Sequence, residues 1–258
     1  MGAWGPALFS DDTACDVRDE YRDLIADGLD DVEATRQVLE RNAEGLEDED
    51  EAVVIWLALA VTQSKLGRLD PAVAGRALQI IDSGADTDRW AEEEGPKKAA
   101  QRQAALDKER AQITGPQPSR RQLRHPVTTL TPGDVLACPT LEGRTILLRV
   151  ARIHRGVPVV RLLLYAGTGI PPLEDIARLP DFQHVNQYMP DGYAVPFTMH
   201  KYKRIDYPQG GYQLVGNVGA RPGEEELTGT GPMVDWQDYL PAYGLASHMI
   251  DQWTAAHG

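Results

Sequence analysis

Apolar side chains recur at helical spacing through roughly the first 114 residues. Four runs end at glycines, and a fifth is interrupted by a Gly-Pro pair before it continues as a polar helix. The third run is apolar almost all round, so we expect it to be the buried central helix. The pattern therefore predicts a small bundle with helices at about 11–28, 30–45, 52–67, 70–84 and 86–113.

The period of the pattern changes in the second half of the chain. Short apolar runs joined by tight turns predict antiparallel strands at 135–138, 145–153, 157–165, 193–202 and 212–218. Such strands are typical of small barrels. The remaining segments predict a short helix at 173–179 and an exposed loop at 219–234. Residues 236–253 predict a final amphipathic helix, or two helical pieces broken at Pro241.

Three prolines and several arginines separate the two patterns. We therefore predict an α+β protein: an acidic all-α helical domain at 1–114, a Pro/Arg-rich linker at 115–126, and a mostly antiparallel, barrel-like β domain with a C-terminal helix at 127–258. The 258 residues are long enough to bury two small cores.

Charge is distributed unevenly along the chain. The net charge is −13, and the first 60 residues, with 17 acidic and 4 basic side chains, account for all of it. One reading of the acidic run is that it attracts a basic protein. The other is that it is a solvated loop that caps the next helix. The residues concerned are Glu47, Asp48, Glu49, Asp50 and Glu51.

A basic stretch lies around Arg120, Arg121, Arg124 and His125. It could contact phosphates, form an exposed linker, or pair with the acidic N-terminal helices. Because no aromatic residues are interleaved with these cations, nucleic-acid binding is not favoured.

Several classes of protein are not expected. No apolar run of about 18 residues is present, so we expect no membrane span. The N-terminus lacks the basic start and long apolar run of a secretory signal, which favours a cytoplasmic protein. Cys15 and Cys138 show no metal spacing, so we expect two free thiols.

No catalytic motif is present, and we expect no metal and no cofactor. The six histidines include no pair at i, i+4, and no Gly-x-Ser-x-Gly nucleophile turn occurs. The best candidates for a pocket in the β domain are Arg161, Tyr165, His200 and Tyr202. Converging ionisable groups there would favour an enzyme or a small-molecule-binding regulator.

The first residues read Met1-Gly2-Ala3-Trp4-Gly5, followed by Phe9, Asp11-Asp12, Ala14 and Asp16. This motif resembles the N-terminus of a bacterial family called domain of unknown function 4259. The resemblance implies helices to about residue 90 and carries no assigned activity.

A strand-turn-strand segment reads Pro132-Gly133-Asp134-Val135-Leu136-Ala137-Cys138-Pro139, followed by Gly143-Arg144 and Arg149-Val150. On this motif, residues 130–180 resemble the immunity protein 26 family. This resemblance implies a protein that neutralises a bacterial toxin by binding it.

Our leading hypothesis is a non-enzymatic, immunity-like cytoplasmic binding protein whose acidic face meets a basic toxin. Two alternatives stay open. One is an enzyme or regulator that uses the β-domain pocket. The other is a scaffolding subunit that docks through the helical domain. The oligomeric state is not predicted.

Overall fold

The structure is a computed structural model, and it describes most of the chain. The described residues are 5–140, 143–182, 184–186, 189–193, 196–200, 207–208, 211–225, 233–235 and 250–251. Contacts divide the chain into two compact units, Met1–His125 and Pro126–Gly258. They are called the helical unit and the β unit below.

The helical unit confirms the predicted helices. A 3₁₀ turn at Leu8–Ser10 precedes α1 (Asp12–Ala26), α2 (Asp31–Arg41), α3 (Glu49–Lys65), α4 (Pro71–Ser83), α5 (Ala85–Glu94) and α6 (Pro96–Thr114). The fifth predicted helix is two helices, because Gly95 adopts a φ of 87° and Pro96 starts a new helix at its first position. Helix α3 is buried along most of its length, as its apolar sequence predicts.

Aspartate starts four of these helices. Asp11, Asp30, Asp48 and Asp70 are the N-caps of α1, α2, α3 and α4, and each side chain accepts a hydrogen bond from a backbone N–H of the first turn. Part of the negative charge of the N-terminal region therefore sits at helix starts, where it is favourable.

The segment after α6 packs against the helical unit. Arg120 pairs with Asp31 at 3.0 Å, and His125 Nε2 lies 2.6 Å from Asp27 Oδ1. Leu123 packs against the hydrophobic core of the helical unit. Of the three interpretations of this basic stretch, the contacts of Arg120 and His125 support pairing with the acidic N-terminal helices.

Gly67 makes the close approach of this segment possible. Its φ is +66°, and a Cβ atom at this position would lie 2.3 Å from the carbonyl oxygen of Pro118. Next to it, the N–H of Arg121 donates to the carbonyl of Leu66 at 2.9 Å.

The β unit is built on one open sheet. Its described elements are β1 (Asp134–Pro139), β2 (Thr145–His154), β3 (Val157–Gly167), α7 (Leu173–Ile176), β4 (His184–Asn186), β5 (Met189–Tyr193), β6 (Pro196–His200), β7 (Gln213–Asn217) and β8 (Met233–Asp235). The sheet order is β7-β1-β2-β3-β6-β8, while β4 and β5 form a separate hairpin.

The expected barrel-like closure is wrong. Neighbouring strands from β7 through β6 are antiparallel, and β8 joins β6 in parallel. Within the described residues, β7 and β8 lie at opposite edges. These edge strands span five and three residues, whereas β2 and β3 span ten and eleven. Closure requires the two edge strands to pair with each other, and the described residues of β7 and β8 form no such pair.

Both faces of the central strands are covered. Cys138, Leu148 and Val160 belong to the core cluster on one face, which Ile250 also joins. Leu147 and Leu163 belong to the cluster on the other face. The near-continuous apolar sequence of these strands follows from this two-sided burial.

The predicted C-terminal helix at 236–253 falls mostly outside the described residues, although 250–251 are helical. Among the helices of the described ranges, none combines the length and the apolar character that a membrane crossing requires.

Candidate functional site

An acidic groove of about 410 Å³ lies on the helical unit. The starts of α1 and α3 and the second half of α5 form its walls. We call it the acidic groove, and it is lined by Asp11, Thr13, Asp48, Asp50, Glu51, Val54, Arg89, Trp90, Glu93 and Glu94.

The acidic run contributes unequally to this groove. Asp48, Asp50 and Glu51 line it, whereas Glu47 and Glu49 are exposed outside it. Asp48 also caps α3, with its Oδ1 2.9 Å from the backbone N of Glu51. The capping interpretation is therefore confirmed at Asp48. The attraction of a basic protein stays a prediction, and the run contributes three carboxylates to the groove.

Arg89 is the one cation among the residues that line the acidic groove. It binds Asp50 at 2.9 Å on one side and Asp86 at 3.1 Å on the other. Burial alone would lower the pKa of Arg89, but these two carboxylates outweigh it and raise the pKa above its ordinary value. Arg89 stays charged, and six carboxylates share the groove with it.

A buried ion pair supports the wall of the groove. Arg102 Nε lies 2.6 Å from Asp86 Oδ2, and both side chains are less than 5% exposed. Arg102 also donates to the carbonyl of Pro6 at 3.2 Å and lies 5.7 Å from the ring of Trp90. Removing either partner would leave a buried charge without compensation.

The arrangement is suited to binding cations that are carried by a larger partner. Carboxylates accept the N–H groups of arginine in a planar, two-bond geometry, and they attract lysine as a point charge. Trp90 adds an aromatic surface beside them. Among the described residues, no group of three His, Cys, Asp or Glu side chains is arranged to hold a metal ion.

The six helices and the acidic groove lie in a part of the chain that matches a known family. Residues 2–114 match the family model Domain of unknown function (DUF4259). The resemblance inferred from the N-terminal motif is thus confirmed. Every residue that lines the acidic groove lies inside the region that matches this family model. No curated protein and no solved structure matches the chain.

The immunity protein 26 resemblance of residues 130–180 is not shown by these comparisons and stays a prediction. The matched region ends before the β unit begins, so the family match covers only the helical half.

The predicted β-domain pocket stays a prediction, because only Arg161 and Tyr165 among its four residues have side chains that the structure describes. Tyr165 lies near the end of β3 and donates its hydroxyl to the carbonyl of Gly169 at 2.6 Å. Arg161 is opposite Pro196 on β6, so His200, four residues further along β6, lies toward the other end of β3. Tyr202 lies outside the described residues.

Arg161 belongs to a buried charge cluster that the sequence did not predict. Arg149 on β2 is fully buried and binds Glu224 through both terminal nitrogens, at 2.6 and 2.5 Å. Asp181 lies 3.3 Å from Arg149 and 3.4 Å from Arg161. Because Arg149 and Arg161 face each other across the strands, the two carboxylates offset a repulsion between like charges.

The signals for these residues differ in strength. An arginine inside the apolar run of β2 is a signal that a buried partner must exist, although it does not name Glu224. No recognised sequence motif includes the groove residues of α5, which are Arg89, Trp90, Glu93 and Glu94. Only the folding of the helical unit, in which Arg89 of α5 pairs with Asp50 of α3, places them next to the acidic run.

Proposed function

We propose that the protein is a non-enzymatic binding protein whose helical unit receives a basic segment of a protein partner in the acidic groove. The observation that carries the proposal is the groove itself, in which six carboxylates surround one guanidinium. An anionic groove raises the local concentration of a cationic partner and accelerates their encounter.

The partner proposed is a basic toxin protein, and the role proposed is immunity-like neutralisation in the cytoplasm. The resemblance of residues 130–180 to an immunity family supports this role. The charge asymmetry supports it as well, since basic side chains suit a toxin that acts on nucleic acid. The absence of any metal-binding group among the described residues is neutral toward this proposal.

The test compares two variants that each lose three negative charges. The groove variant is Asp50→Asn, Glu93→Gln, Glu94→Gln. The control variant is Glu47→Gln, Glu49→Gln, Glu92→Gln, which changes exposed carboxylates that do not line the groove. Tagged wild-type protein and both variants are used for affinity purification from the native host at low and high salt, with mass spectrometry of the bound proteins.

We expect a basic protein to bind the wild type and the control variant in stoichiometric amounts. The groove variant should bind it at least about tenfold more weakly, and high salt should release it. Expression of the captured protein should then arrest growth unless the wild-type protein is also present. Equal binding by both variants would contradict the proposed site, and a captured protein that is harmless would contradict the immunity-like role.

A further inference from the structure

A second groove lies on the helical unit, away from the acidic groove. It has a volume of about 420 Å³ and runs between the N-terminal turn, the end of α3 and one face of α6. We call it the Glu109 groove. Its apolar surface comes from Pro6, Ala7, Leu8, Phe9, Val61, Ala104 and Ala105, and its polar side chains are Lys65, Gln101, Lys108, Glu109 and Gln112.

Glu109 is the unusual member of this groove. Its Oε2 atom is buried and has no hydrogen-bond partner. A buried carboxylate oxygen without a donor is costly, and most such atoms in folded proteins are paired. The groove therefore contains an acceptor that the helical unit itself does not satisfy.

The nearby cations leave this acceptor open. The ammonium group of Lys65 lies 4.9 Å from the centre of the Phe9 ring, and it does not donate a hydrogen bond to Oε2 of Glu109. Arg102, on the same helix as Glu109, is held by Asp86. Lys108 is exposed at the edge of the groove.

The groove therefore combines three chemistries within one space: an open carboxylate, two ammonium groups and an apolar surface. A ligand with an ammonium group alone would meet repulsion from the lysines, and a carboxylate alone would meet repulsion from Glu109. A zwitterion with an apolar side chain matches all three.

We propose that the Glu109 groove binds a free α-amino acid with an apolar side chain. Glu109 accepts from the ammonium group of the ligand, while Lys65 and Lys108 hold its carboxylate. The side chain of the ligand packs against Phe9, Leu8 and Val61. This site is separate from the acidic groove, so it does not depend on the proposed partner binding.

The experiment is calorimetric titration of the full chain with L-leucine at pH 8. Two analogues of the same shape test each charge: 3-methylbutylamine lacks the carboxylate, and 4-methylpentanoate lacks the ammonium group. The variants are Glu109→Gln, Lys108→Gln and, as a control on the same helix, Asp107→Asn, which changes an exposed carboxylate outside the groove.

Leucine should bind the wild type and Asp107→Asn equally. Glu109→Gln should weaken binding about tenfold or more, as loss of a charge-assisted hydrogen bond predicts. Lys108→Gln and each analogue should weaken it as well. Circular dichroism checks that the variants are folded.

A change to pH 6 gives a second readout. Burial raises the pKa of Glu109 to about 7, with Asp86 acting in the same direction and Arg102 and Lys65 against it. The carboxylate is therefore protonated in large part at pH 6. Affinity for leucine should fall in the wild type and change little in Glu109→Gln. Absence of leucine binding, unchanged affinity in Glu109→Gln, or equal binding of 3-methylbutylamine would each overturn the proposal.

Discussion

Glu224 and Glu109 are both affected by burial, but their pKa values shift in opposite directions because their partners differ. Burial favours the neutral acid in each case. At Glu224 the two hydrogen bonds from Arg149 outweigh burial and lower its pKa. At Glu109 no donor reaches the buried oxygen, so burial raises the pKa to about 7. The guanidinium of Arg149 thus makes Glu224 a paired structural carboxylate, whereas Glu109 has no such partner and keeps an acceptor for the proposed ligand.

Glu109 gives the stability of the protein a defined dependence on pH. Its pKa is higher in the folded chain than in the unfolded chain, so the folded state binds more protons between about pH 4.5 and 7. Protonation of Glu109 in the folded state therefore contributes to the free energy of unfolding. This contribution is fully present below about pH 4.5 and is lost as the pH rises through about 7. We expect Glu109→Gln to be more stable than the wild type at pH 8 by roughly 1–3 kcal/mol.

Urea unfolding of both proteins at pH 5 and pH 8 measures this difference. At pH 5 the two free energies of unfolding should be closer together. Asp107→Asn provides the control, because Asp107 lies exposed on the same helix. A difference between wild type and Glu109→Gln that is the same at both pH values would contradict the assignment.

At the scale of elements, Asp48 serves two purposes: it caps a helix and it adds charge to a groove. Asp48 ends the loop before α3 and accepts hydrogen bonds from two backbone N–H groups of its first turn. It also lines the acidic groove. A substitution that removes both properties cannot distinguish them, but capping depends on an acceptor atom and steering depends on a charge.

We therefore expect Asp48→Ala to reduce the free energy of unfolding by about 1 kcal/mol and Asp48→Asn to change it much less, since Asn is an equally good N-cap. Urea unfolding monitored by circular dichroism is the measurement. Glu49→Ala, at the neighbouring exposed position, should cost less than Asp48→Ala. If Asn destabilises α3 as much as Ala does, then charge rather than capping holds the helix start.

At the scale of the whole molecule, the boundary of the helical unit lies beyond the last helix. Residues 115–125 lie along the unit and supply Arg120 to Asp31, His125 to Asp27 and Leu123 to the core. Arg68 donates twice to the carbonyl of Arg121. The unit that folds is thus longer than the 2–114 region of the family match.

This boundary predicts the behaviour of shortened chains. A chain that ends at residue 125 should have a Tm higher by about 4 °C or more than a chain that ends at residue 114. The shorter chain loses the Arg120–Asp31 ion pair and the His125–Asp27 contact, and it uncovers core surface. Thermal unfolding by circular dichroism compares the two. Equal Tm values would show that the segment contributes no stability.

The sequence predicted the helices well because the residues that start and end a helix lie next to it in the chain. Asp70 followed by Pro71, for example, combines a cap with a residue suited to the first helical position, and α4 begins there. The short-strand pattern likewise predicted β1 to β3. Closure of the sheet was predicted wrongly, because strand order depends on which distant segments pair.

The candidate site was predictable only in part for the same reason. The acidic run is visible as charge, but the groove needs α5, which is some 40 residues further along the chain. Prolines and arginines at 115–126 suggested a linker, and the contacts with Asp27 and Asp31 follow from folding rather than composition. The Glu109 groove had no sequence signal, because one glutamate in a polar helix is ordinary.

The buried thiol of Cys138 provides a way to follow the β unit alone. Burial in the sheet core raises its pKa to about 12, so an alkylating reagent finds neither access nor thiolate while the sheet is intact. Modification of Cys138 then requires an opening event, and its rate counts such events directly. Cys15, half-buried in the helical unit, is a separate thiol whose product has a different peptide mass. One labelling time course can therefore follow a thiol in each half of the chain, and the thiol of Cys138 reports the opening of the β unit.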